Sequence, residues 1–532
     1  MHLDDAGIAR TRPGSIKLNA AAPLAGPPRE IVEMAGNRYE VAGGNIYMNE
    51  TLIASGLVDA PTGSLLYKSY TSNNNSVFLA DGTDRKRVTG NAVAEWGIDA
   101  PTVAPTVGVG AGTDLTGVYY AWYSYVRKEG SSVVCESNPS PQSGSQSLTN
   151  QSLAVTCTAP VDPQVTHIRL YRSVAAGNSP YVDQDVALPT VIIDTSTADT
   201  ALGTGPDWDH YRPPLGGSLV IGPTYNGYCF MAVGNLLYFC RAKMPEYWPQ
   251  TYYIEVGSPQ FPIIGMVFWG GYLYCLTGNE MWMIMGTGYQ SFFPVPVKSA
   301  SGLKSRRGLD GIKGYGVPHL GPEGIYLYTG IDDMKITEKN FGPVFRGLTV
   351  GSVPGLDVTQ LAQDIIFFHE GKIWFGYCSI GASFPDNWLV TNHVTGKTVH
   401  YQFGQQFTVL ARDNTNNRLL AGDVNGYVWE INKVSQIDDN GVAIPWQVES
   451  KSYADQLYKY FPRYAKYDVS LDDPSTTGVT GNILLDDAIV QSHAITVSRN
   501  TSYRLICGCT GDRLGMRITG SGPASVYAAE VE

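Results

Sequence analysis

A short design recurs along this chain and limits what it can fold into. A turn glycine or asparagine leads into about five apolar or aromatic residues, then a tight polar turn, and often a second such run. It reads GGNIYMNETLIAS from Gly43, NSVFLADGTDRKRVTG from Asn75, GNLLYFCRAKMPEYWP from Gly234 and GGYLYCLTGNEMWMIMG from Gly270. It returns as EGIYLYTGIDDMKIT from Glu323, EGKIWFGYCS from Glu370 and NNRLLAGDVNGYVWEIN from Asn416. Thr277 to Glu280 and Asp423 to Gly426 are hairpin turns by their residue types. The units recur every ~30 to 55 residues, the period of propeller blades. One small twisted sheet cannot bury both of its faces. Stacked radially, each sheet covers its neighbour and few edges stay exposed. The expectation is an all-β chain whose main body is a β-propeller of about six blades.

Composition agrees. The 532 residues include 59 Gly and 33 Tyr, and only 16% are charged, which suits short strands and tight turns better than long charged helices. The net charge of −11 argues against a surface that coats nucleic acid, though not against one past which DNA slides. The start, MHLDDAGIARTRPGS, is polar and reads as no secretory signal. No run approaches the ~20 apolar residues of a membrane helix, so no membrane insertion is expected. The eight cysteines lack zinc spacing and read as buried, reduced thiols, which fits synthesis in a reducing cytoplasm. The sequons at Asn49, Asn74, Asn150 and Asn500 then carry little weight.

The spacing breaks once. DAPTVAPTVGVGAGTDLTG is a linker, and VYYAWYSYV, SLAVTC, VTHIRLYRS and TVIIDTS are short strands before the Pro- and Gly-rich GPDWDHYRPPLGG. This interval predicts an inserted β-sandwich of the immunoglobulin or fibronectin III type. The expected organisation is an N-terminal arm with the first propeller strands over 1–97 and the insertion over 98–215. The main blades follow over 216–445. A C-terminal β module, 446–532, is either a closing blade or a terminal sandwich.

Convergent chemistry is hard to find, and the chain is not expected to be an enzyme. No catalytic residue, cofactor site or metal site is assigned. There is no G-x-S-x-G elbow and no sialidase Asp box. Thr395 to Thr398 reads TGKT, but Thr391 stands where a phosphate loop needs glycine. His369, His393 and His400 sit around hairpins without metal spacing, and Asp332-Asp333, Asp438-Asp439, Asp472-Asp473 and Asp486-Asp487 read as turn formers. Asp207 to His210, DWDH, is the most site-like acidic cluster. The segment KSASGLKSRRGLDGIKG, Lys298 to Gly314, is basic and longer than a blade needs. It reads either as a solvated loop or as a channel or subunit-contact loop whose Lys304, Arg306 and Arg307 meet phosphate or acidic neighbours. Arg85, Lys86 and Arg87 are read the same way.

Three stretches carry a family resemblance. VYYAWYSYVRKEGSSVVCESNPSPQS with PVDPQVTHIRLYRSVAAGNSPYVDQDV and IIDTSTADTALG resembles the inserted sandwich of phage tail proteins. GNLLYFCRAKMPEYWPQTYYIEVGSPQFPIIGMVFWGGYLYCLTGNEMWMIMGTG is similar to their propeller core, and ITGSGPASVYAAEVE to their ending. The family is the tail nozzle of short-tailed bacteriophages, also called tail tubular protein B or packaged-DNA stabilisation protein. The resemblance implies a virion structural protein and a homo-oligomer of six copies in a ring. That ring would meet a tail adaptor protein and carry tail fibres or spikes nearby. Genomic DNA would pass its lumen without sequence-specific binding. A glycan- or receptor-binding propeller is the alternative.

Overall fold

The computed structural model describes residues 2–3, 9–68, 75–224, 226–299, 301–450, 453–454, 464–471, 476–496, 501–504 and 512–531. The calls on Asn74, Asn500, Asp472, Asp473, Cys507 and Cys509 lie outside them. Seven small antiparallel sheets follow one another among the described residues. They span 28–54, 63–95, 219–255, 263–296, 317–335, 365–401 and 407–433. The chain is therefore an all-β propeller with seven blades, one more than expected. Each of the quoted repeats supplies the middle of a blade, including the divergent pair at Gly43 and Asn75.

The ring is closed, because a hydrophobic core lies at every junction between successive blades. Ile31 and Ala42 of blade one meet Val409 and Ala411 of blade seven. Phe78 and Trp96 pack with Met231 and Trp248 between blades two and three. Trp374 and Trp388 pack with Phe407 and Trp429 between blades six and seven. A middle strand is thus covered on both faces. Lys372–Tyr377 and Arg418–Asp423 are buried at every residue after the first. That is why the repeats read as continuous apolar runs and not as strict alternation.

Blade seven is completed from the far end of the chain. Gly14–Lys17 pairs antiparallel with Val428–Lys433 as its outer strand. Arg12 fastens this strand: its guanidinium pairs with buried Asp439, donates to the Gln402 carbonyl and lies over the Phe403 ring. Ser15 donates to the same carboxylate at 2.7 Å.

The insertion is a sandwich between blades two and three. A four-stranded sheet centred on Ala121–Glu129 faces strands that include Leu115–Tyr119 and Leu153–Thr156. Tyr123, Leu148, Val155, Leu170 and Ile193 share its core. It is welded to the propeller. Arg127 pairs with Glu246, and the Glu136 N–H donates to the Tyr247 hydroxyl at 2.9 Å. Arg212 binds Glu95 and Asp99. Of the two alternatives for the C-terminal stretch, the structure has the sandwich. Its two sheets enclose Trp446, Tyr467, Ile483 and Ile518, and His2–Leu3 and Ala9–Arg10 add to one of them beside Ala524–Val531.

Arg12→Met leaves Asp439 buried without its cation, which costs about 3 kcal/mol. Urea denaturation is expected to show that loss, with faster amide exchange across Val428–Lys433.

Candidate functional site: the axial loop of the propeller

Three connections from an outer strand to the next inner strand are short, as at 402–406 between blades six and seven. Between blades four and five the chain takes 297–316 instead. That excursion contains the basic stretch singled out from the sequence. It does not run outward. It crosses the axis of its own propeller and bonds to five blades and to the segments that lead into the other two.

The crossing builds up residue by residue. Ser299 donates to Asp333 at 2.8 Å, and the same carboxylate oxygen lies 3.3 Å from His319 Nε2. Gly302 sits against the blade-four turn, where a Cβ would fall 2.2 Å from the Asn279 nitrogen, so no other residue fits. The Leu303 N–H donates to the Thr277 carbonyl and the Lys304 N–H to Leu320 of blade five. Lys304 Nζ donates to the Gly278 carbonyl at 3.2 Å. Ser305 donates to the Asp364 carbonyl of blade six, and the Ile366 N–H to the Arg307 carbonyl at 2.8 Å.

The two arginines reach the rest of the ring. Arg306 donates to the Pro61 carbonyl before blade two and to Ser218, both carbonyl and hydroxyl, before blade three. Arg307 donates to the carbonyls of Arg29 in blade one and Thr408 in blade seven. These cations therefore donate to neutral carbonyls of their own chain, and the carboxyl of Glu30 is an acidic group near them. The planar guanidinium, with its fork of donors, suits carbonyls arriving from different directions.

One carboxylate shares the axis. Glu30 of blade one accepts from Ser64 of blade two at 2.9 Å. Burial raises its pKa, opposed by the nearby charges of Arg307 and Arg306 and by the Ser64 hydrogen bond. Burial lowers Arg306 to about 10, with repulsion from Arg307 added and attraction to Glu30 opposing. Arg307 is lowered too, chiefly by burial. Sequence reasoning missed Glu30, Ser64, Ser218 and Thr408. Nothing in a linear reading joins positions so far apart.

The other sequence candidates are accounted for by packing. Arg85 donates to the Pro213 carbonyl and Lys86 pairs with Glu95. Burial lowers Arg87, which also feels the Arg127 charge. In the DWDH cluster Asp207 pairs with Arg241, and His210 stacks on Tyr247 with ring centres 4.1 Å apart. The cluster is part of the weld that holds the insertion. His393 contacts the Gly371 carbonyl and His400 contacts Asn387. Ser299, His319 and Asp333 differ from a hydrolytic triad, because serine and histidine both face the carboxylate and His319 is fully buried. Among the described residues no group of three or more His, Cys, Asp or Glu is placed to hold a metal. Six cysteines are described, all buried and free.

The chain matches no protein-family model and no curated protein. Among solved structures it is similar to the computationally designed Ika8 protein, at 10% identity and a TM-score of 0.34, over 79% of this chain and 100% of that one. Raptor from Chaetomium thermophilum gives 9% identity and 0.32 over 80% of this chain and 29% of its own. Apo AztD from Citrobacter koseri gives 9% and 0.31 over 74% and 93%. Likenesses this loose carry no functional argument, and the assignment of the propeller rests on the strand order and the closed ring of cores.

Three substitutions test the axial loop. Arg307→Met strands the buried carbonyls of Arg29 and Thr408 and is expected to cost about 2–4 kcal/mol in chemical denaturation, against under about 1 for Lys304→Met. Asp364, beside the Ser305 anchor, gives a pH signature. Burial raises it to about 8, against an ordinary value of 3.8, although the Cys378 N–H bonds to it. Between those two values the native state keeps the proton and the unfolded chain has released it. Stability from this group is therefore full below 3.8, falls as pH rises, and levels off above about 8. Asp364→Asn is expected to flatten that decline and to gain about 2 kcal/mol at pH 8, read from urea midpoints across pH.

Proposed function

We propose that this chain is a structural protein of a short-tailed phage virion. It is a subunit of the tail nozzle that forms the distal end of the tube through which genomic DNA is retained and ejected. The reading starts from the resemblance in the insertion, the propeller core and the ending. The observation that favours it most is the axial loop. A propeller whose axis is crossed by its own chain, bonded to five blades and to the segments that lead into the other two, is suited to serve as a solid wall element. The conduit then lies between copies of the chain, in a ring of six, and not through any one propeller. The welded insertion and the terminal sandwich extend the same unit. The proposed partners are the tail adaptor above the ring, tail fibres or spikes nearby, and DNA that slides past an acidic protein without being read. The reading gives the chain no catalytic step. It is made in the host cytoplasm and works in the virion.

A second reading has one observation in its favour. Tyr253, Tyr272, Tyr289 and Phe293 of blades three and four are exposed, at 43, 42, 44 and 50%. Exposed rings of this kind stack on sugars, as a glycan- or receptor-binding propeller requires.

Immunogold microscopy with antibody to this chain, on virions from its source, separates the two. Label at the distal end of a short tail is the expected result. Unlabelled particles together with a positive glycan array would replace the nozzle reading with the second one.

A further inference from the structure

The axial loop does not fill the shaft it crosses. A cavity of about 230 Å³ remains beside it, lined by Glu30, Thr62, Ser64, Arg306 and Arg307 and by apolar residues of the inner strands such as Leu410. Its charges do not cancel. Two guanidinium groups and one carboxyl line it, and Arg29, whose charge Arg307 also feels, is engaged with Asp59. Glu30 feels both Arg306 and Arg307, yet no ion pair within 4.0 Å joins it to either. The charges are near one another and apart, with the cavity among them.

Their hydrogen bonding is also incomplete. Arginine carries five N–H donors. Arg306 makes three hydrogen bonds to protein and Arg307 makes two through its guanidinium. Both residues retain some exposed surface, and both line this cavity. An excess positive charge between low-dielectric walls is costly unless an anion or ordered water meets it. Paired guanidinium forks prefer oxyanions, which take two donors at once.

We propose that this axial cavity is a binding site for a small oxyanion of the phosphate or carboxylate class, held by Arg306 and Arg307. The Ser64 and Thr62 hydroxyls on the same wall already donate to Glu30 and to the Ala60 carbonyl, so the arginines supply the donors. Glu30 works against the anion, and so sets the affinity without abolishing it. An occupied site ties blades one and seven and the segments that lead into blades two and three through the two arginines that bridge them. The inference is independent of the nozzle reading, since it needs only the axial geometry.

The test is calorimetric titration of the whole chain with inorganic phosphate at constant ionic strength, with thermal unfolding in parallel. Saturable binding to one site is expected, with a midpoint of unfolding that rises with phosphate. Glu30→Gln removes the opposing charge at nearly constant shape and is expected to tighten binding about tenfold. Arg306→Gln is expected to weaken it by about tenfold or more. The two variants move the affinity in opposite directions, so a general loss of folding cannot imitate the result. Phosphate binding that is absent to about 10 mM, or equal in all three proteins, overturns the proposal and leaves the cavity to water.

Discussion

Everything in this propeller depends on how the axis is satisfied. Seven inner strands converge on one shaft, and the main-chain carbonyls that face it need donors. The 297–316 connection solves this with donors. Arg306 and Arg307 meet carbonyls of blades one and seven and of the segments before blades two and three, and the main chain and side chains of Ser299 to Arg307 meet the other three blades. A guanidinium is the only side chain that offers so many donors from one plane while remaining charged. Its burial is costly, and the compensation comes from neutral acceptors and the single carboxyl of Glu30, not from direct ion pairs.

The outer structure follows from the same closure. Once the axis is fixed, each pair of neighbouring blades closes on an apolar core, and the last pair is locked by a strand from the N-terminus. Arg12 and Asp439 hold that strand. The insertion leaves the ring between blades two and three and is held by charged and aromatic contacts to blade two and to the blade-three segment that contains Glu246 and Tyr247. Such contacts fix geometry more than they add stability. The insertion is thereby tied to the propeller by side-chain contacts at both ends of its excursion.

The sequence displayed the blades because burial on two faces writes itself as a run. Lys372–Tyr377 and Tyr272–Thr277 are apolar almost throughout for that reason. It displayed the insertion because the Pro- and Gly-rich segments at both its ends interrupt the spacing. The blade number was less legible. Blade five has three strands and blade seven borrows its fourth, so strand spacing alone does not count them. The C-terminal sandwich was ambiguous since a strand added from Ala9–Arg10 is invisible without pairing.

The basic loop marks where linear reading stops. Its composition, length and charge were plain in the sequence, and they identified Lys304, Arg306 and Arg307 as unusual. Charge without a partner suggested phosphate or acidic neighbours outside the chain. The fold instead turned the loop inward and gave those cations carbonyl partners up to 278 positions away. Local residue types therefore determined which segments become strands, turns and loops. Only the closed ring decided where the loop's donors went, because acceptors separated by most of the chain meet at one axis once all seven blades are in place.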